Sequence, residues 1–123
     1  MQYEREKFKE NFVKRLVRFS VATIKFSEKL KERRILWSIA DQLVRSATSI
    51  GANVVEAKSS SSKRDYLRFF EIALKSANET KYWLIVIKEI IPESVTEVDV
   101  LYRDVDEILK ILGSSVLTLK GKK

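Results

Sequence analysis

Cysteine and histidine are both missing from the 123 residues. Within this chain their absence excludes disulfides, cysteine nucleophiles, Cys/His zinc sites, histidine-ligated haem and every Ser-His-Asp triad. Proline occurs once, at Pro92, and glycine three times, at Gly51, Gly113 and Gly121. So few turn formers argue against an all-β fold, and a single glycine before position 113 leaves no glycine-rich loop to cradle a phosphate. No run of about 18 apolar residues is present, which removes a helical membrane span. The first eleven residues are heavily charged and lack the apolar stretch of a signal peptide. The expectation from these absences is a cytoplasmic protein.

Chemistry is correspondingly thin. Ser60-Ser61-Ser62-Lys63 has the form of a Ser-x-x-Lys nucleophile, but its Ser-Asp-Asn and Lys-Thr-Gly companions are missing. Asn78-Glu79-Thr80 spells a glycosylation triplet inside a segment that reads as helix. Di-iron bundles use Glu-x-x-His pairs, so Glu56 and Glu79 offer at most a carboxylate-only site. No cofactor, no metal and no enzymatic activity is expected.

What is present is a strong helical rhythm. Apolar residues make up 45% and charged residues 33%, a globular composition, and the length suits a single domain, here 1–119, with a short basic tail over 120–123. Four stretches each carry an apolar seam with spacings of three and four. The first runs Phe8, Phe12, Leu16, Phe19, Thr23, Phe26 and Leu30; the second Leu36, Ala40, Leu43, Ala47, Ile50, Val54 and Ala57. The third runs Tyr66, Phe70, Ala73, Ala77, Thr80, Leu84, Ile87 and Ile91; the fourth Val98, Leu101, Val105, Ile108, Leu112, Val116 and Leu119. A seven-residue repeat favours nearly aligned helices. Four of them with short connections predict an all-α, antiparallel up-down four-helix bundle. Capping boxes are expected at Ser62 with Asp65 and at Ser94 with Glu97, and a weaker one at Ser38 with Asp41. Pro92 should end the third helix near Ile91. Val13, Val17 and Ile24 form a further apolar stripe, which fits either a subunit interface or a wider internal core.

Charge is unevenly spread. The chain carries a formal +7, and residues 1–34 hold 11 basic against 5 acidic side chains. Lys7, Lys14, Arg18, Lys25 and Lys29 fall on one stripe of the first helix, away from its phenylalanines. Cations in such a row can neutralise nucleic-acid phosphates and release counterions; the plain alternative is a solvated helix face. Lys63 and Arg64, beside the free amides at the start of the third helix, make a second candidate phosphate contact. The aromatics lie mostly on the seams, so backbone and shape recognition is expected, without base reading.

The second helix also carries a polar stripe: Gln42, Arg45, Ser49, Asn53 and Glu56. Ser76 and Glu79 on the third helix can face it. These groups can satisfy one another if partly buried, as a structural network within or between subunits or, alternatively, as a ligand site. The run from Asp41 to Glu56, with Ser62-Lys63-Arg64-Asp65-Tyr66-Leu67-Arg68-Phe69 and Ala73-Leu74-Lys75-Ser76-Ala77-Asn78-Glu79, resembles the signature of a bacterial four-helix-bundle family first noticed in intervening sequences of 23S ribosomal RNA genes. The resemblance covers about residues 37–91. It implies a homopentameric ring and an association with RNA. A related branch, the accessory proteins of diversity-generating retroelements, implies a reverse transcriptase as partner and a scaffold role. Two positions depart from the family pattern: Gly51 stands where proline is common, and Ala57 where glycine is frequent. Gly51 permits a bend or a close helix approach, and Ala57 lets the second helix run on towards Ser59.

Overall fold

A computed structural model describes residues 2–121 and shows four long helices. They are α1 (Gln2–Leu30), α2 (Trp37–Lys58), α3 (Lys63–Ile90) and α4 (Val95–Leu119). The chain runs up and down, so that α2 packs on α1 and α3, and α3 on α4. The contact between α1 and α4, which closes the ring of helices, is the thinnest of the four seams.

The seven-residue seams become the core. Leu16, Phe19, Leu43, Ile50, Leu84, Ile87, Ile108 and Leu112 are all essentially inaccessible to solvent. Thr23 sits among them with its hydroxyl donating to the Phe19 carbonyl at 2.9 Å, which satisfies the one polar group it brings inside. Gly51 lies where α2 crosses α1: a Cβ built there would stand 3.3 Å from the Leu16 Cβ. The missing side chain therefore sets how closely these two helices approach.

The breaks follow local chemistry. Ser62 is extended, at φ −145° and ψ 157°, and its hydroxyl accepts from the Asp65 amide at 3.1 Å, the cap expected at the start of α3. Helix α2 runs to Lys58, with Ser59 as its C-cap. Pro92 ends α3, whose C-cap is Ile91. Two boundaries differ from the reading of the sequence. A short 3-10 turn, Pro92–Ser94, leads into α4, so Ser94 is already bent inward at φ −85° and ψ 3°. Its hydroxyl donates backward to the Ile91 carbonyl at 2.6 Å and caps nothing, while Glu97 turns to Lys29. The α1–α2 connection likewise contains a 3-10 turn, Arg34–Leu36, after which α2 begins at Trp37 without a side-chain cap. Asp41 pairs with Lys31 at 2.8 Å instead of serving Ser38.

Phe8 is the third difference. The repeat assigns it to the core, yet it is 59% exposed and stacks only on Phe12, with ring centroids 6.4 Å apart. The seam specifies its face, but across from it α4 presents Ser114 and Ser115, which are too small to reach across.

Candidate nucleic-acid interface

Helix α1 is amphipathic in charge as well as hydropathy. Lys7, Lys14, Arg18, Lys25 and Lys29 are all exposed on the side away from Phe12, Leu16 and Phe19. At 3.6 residues per turn, steps of seven and four keep such side chains on one face. Lys29 is engaged: its ammonium lies 2.6 Å from Glu97 on α4, and that hydrogen bond raises its pKa. Lys7, Lys14, Arg18 and Lys25 have no acidic partner among the described residues.

The contrast is with the cations near α4. Arg15 reaches across to that helix and donates to Asp104 at 3.0 Å through Nε and to Glu107 at 2.8 Å. The Asp104 hydrogen bond raises the guanidinium pKa against the opposing effect of desolvation. Lys81 and Lys88 on α3 pair with Asp106 at 2.8 Å and with Asp99 at 3.0 Å. The Lys81 hydrogen bond holds the Asp106 carboxyl below the usual carboxylate range, and the same bond raises Lys81. Lys120 reaches Glu71 at 3.0 Å. Helix α4 thus pairs its carboxylates with cations from both neighbours, and the outer face of α1 keeps its own cations free. Reading the sequence alone missed Arg15 as a clasp. The available signal was its offset from the cationic stripe together with the acidic cluster Asp104, Asp106 and Glu107.

Lys63 and Arg64 are exposed at the start of α3, in the turn capped by Ser62. Asp65 occupies the first turn, where it already complements the positive end of the helix. Lys122 and Lys123 of the basic tail lie outside the described residues.

The polar stripe on α2 divides in two. Ser49 and Asn53 join Ser76: the Asn53 amide donates to the Ser49 carbonyl at 2.8 Å and to its hydroxyl at 3.0 Å, and Ser76 donates to the Ser49 hydroxyl at 2.9 Å. Gln42, Arg45 and Glu56 take no part: Gln42 is half-buried and Arg45 and Glu56 are exposed, and none of the three side chains has a hydrogen-bond partner among the described residues. Glu79 accepts from the Trp83 indole at 3.2 Å on its own helix. A second bridge went unread in the sequence: Thr80 donates to Ser46 at 3.0 Å, fully buried between α2 and α3. The signal was Thr80 on an apolar seam opposite a helix carrying Ser46 beside its own seam. These bonds leave no buried polar side-chain atom unsatisfied among the described residues. The shared Ser49–Ser76 and Ser46–Thr80 bridges fix the register of α2 on α3.

No helix among the described residues is long and apolar enough to cross a membrane. Among the same residues, no group of three or more acidic side chains gathers where it could hold a metal ion.

No curated protein matches the chain. Among solved structures, a protein of unknown function from the S23 ribosomal protein family of Bacteroides thetaiotaomicron superposes with a TM-score of 0.80 at 31% identity, covering 85% of this chain and 97% of that one. The family of 23S rRNA-intervening sequence proteins matches residues 9–114, which takes in the cationic stripe from Lys14 onward, the α2–α3 polar bridges and α4 as far as Ser114. On that match the chain belongs to the 23S rRNA intervening-sequence protein family.

Proposed function

We propose that this protein is a non-enzymatic, RNA-associated bundle that binds nucleic acid through the outer face of α1. The observation that carries this reading is the row Lys7, Lys14, Arg18 and Lys25, exposed and free of acidic partners on one helix face, whereas Arg15, Lys29, Lys81 and Lys88 pair with carboxylates of α4. Contacts of this kind are sequence-independent and salt-sensitive. Lys63 and Arg64 extend them at the bundle end.

An oligomer would strengthen the same reading. Of the stripe Val13, Val17 and Ile24, Val13 packs against the core, whereas Val17 and Ile24 remain 56% and 40% exposed beside the cationic row, with Val21 exposed next to them. An apolar stripe left outside a single chain is a natural subunit contact. A homopentameric ring of the kind the family resemblance implies would carry +35 from five +7 chains, and repeated weak contacts gain affinity through avidity.

The test is binding of a structured RNA at two salt concentrations, with light scattering to give the particle mass. The full chain is expected to form a defined oligomer whose affinity falls steeply with salt. Replacing Lys14, Arg18 and Lys25 together by alanine should lower the slope of log K against log salt by about two to three. An unchanged slope removes the α1 face from the site, and a monomer mass removes the ring. A second reading, a protein-binding scaffold such as a reverse-transcriptase accessory subunit, draws on the exposed Arg45 and Glu56 with the half-buried Gln42 beside them. It predicts the same oligomer with no more RNA affinity than a charge-matched control.

A further inference from the structure

The bundle is incomplete at one end. Between the first turns of α1 and the last turns of α4 lies an open trough of about 1120 Å³. Its apolar lining comes from all four helices: Phe8 and Phe12 of α1, Val54 of α2, Tyr66 and Phe70 of α3, and Ile111 of α4. Tyr66 and Phe70 stack with ring centroids 5.0 Å apart, and burial raises the Tyr66 phenol pKa. The rim is cationic: Arg5, Lys9, Lys58 and Lys110 surround the opening, against Glu4 as the one acid in the lining. Arg5, Lys9 and Lys58 form no ion pair among the described residues, and Lys110 stands 3.4 Å from Asp106.

We propose that this trough is a docking site for an acidic amphipathic helix from another protein. Three observations select that occupant. The heptad seam of α1 continues to Phe8, so α1 offers knobs for a helix that this chain does not supply there. Both walls are uninterrupted helix, over residues 5–13 of α1 and 110–119 of α4, or about 12–14 Å at 1.5 Å per residue. That matches two to three turns of a fifth helix, whereas small-ligand pockets are typically about 300–1,000 Å³ and more enclosed. Finally, an apolar floor with a cationic rim complements a helix with apolar anchors at i, i+4 and i+7 and carboxylates along its flanks. The proposal is independent of RNA binding at the opposite face of α1.

The test is selection of a displayed library of random twelve-residue peptides on the full chain. The expected winners are acidic, carry apolar residues at helical spacing, and lose at least tenfold in affinity against Phe8→Ala and severalfold against Lys9→Glu. Phe8 is on the surface, so its variant should match the parent in circular dichroism and particle mass. No enriched peptide, basic winners, or winners indifferent to Phe8→Ala would overturn the proposal. So would loss of the oligomer in Phe8→Ala, which would make a second copy of the chain the occupant. Structured RNA that displaces the peptide and itself depends on Phe8 would assign the trough to nucleic acid instead.

Discussion

The seam between α1 and α4 has two halves built on opposite terms. From Arg15 to Leu30 it is closed. Leu16, Phe19 and Phe26 are buried beneath it, and the Arg15 and Lys29 ion pairs fasten its outer edge to Asp104, Glu107 and Glu97. From residue 5 to residue 13 it stands open, with Phe8 on the surface and small residues on the facing helix. The same seven-residue repeat runs through both halves of α1. A repeat therefore determines which side of a helix seeks cover, while the size of the residues opposite determines whether cover arrives.

Substitutions in the two halves should differ most sharply in the core. Leu16→Ala removes a side chain that is 1% exposed, and large-to-small changes of this kind cost about 2–5 kcal/mol. Urea denaturation should show that loss as a lower midpoint with an unchanged m-value. At the edge of the closed half, Arg15→Ala leaves Asp104 and Glu107 without their clasp. Because the group is partly solvated, the expected loss is about 1 kcal/mol, and it should shrink in high salt. A double-mutant cycle with Asp104→Asn isolates the pair from any general effect of removing the side chain.

Acid should work through α4. Asp106 has its pKa lowered, chiefly by the hydrogen bond from Lys81. The folded state thus holds its proton less tightly than the unfolded chain, so the stabilisation is present above the ordinary carboxylate range and is lost as pH falls through the depressed value. Denaturation between pH 5 and pH 2 should show a shallower decline for Asp106→Asn than for the parent; an identical decline would show that this pair does not contribute. The smallest effect belongs to the open half. Phe8→Ala should change stability by no more than about 0.5 kcal/mol, as for other surface substitutions, although the peptide selection makes it the most sensitive position for binding. A loss comparable to Leu16→Ala would mean that Phe8 is covered in solution.

Much of the fold is legible in the sequence because the determining signals are local and periodic. Four seams, the Ser62 cap, the stop at Pro92 and the close approach at Gly51 can all be read without knowing what packs on what. The parts that escape are relational. Phe8 looks like Phe12 until the small residues of α4 are placed opposite it. Ser94 has the spacing of a cap, but the 3-10 turn before it removes the extended backbone that a cap needs. In the polar stripe, Ser49 and Asn53 meet Ser76 while Gln42, Arg45 and Glu56 take no part in the bridge, because stripe membership does not specify which edge faces α3. Ser46 and Thr80 were hidden by their place on or next to apolar seams. Among the cations, Lys29 belongs to the α1 stripe by spacing, yet it lies near enough to α4 to be taken by Glu97.

The pairing of α4 has one more consequence. The five acidic residues over Val95–Leu119 offset the cations that α1 and α3 send to that flank, while Lys7, Lys14, Arg18 and Lys25 stand unpaired on another. The net positive charge of the molecule is therefore off-centre, uncompensated on the α1 flank and offset on the α4 flank. Near a polyanion it experiences a torque as well as a pull, so that rotation can bring the α1 flank round before any atoms touch. Such pre-orientation acts on the rate of encounter more than on its final strength, and it fades as the Debye length shortens with added salt.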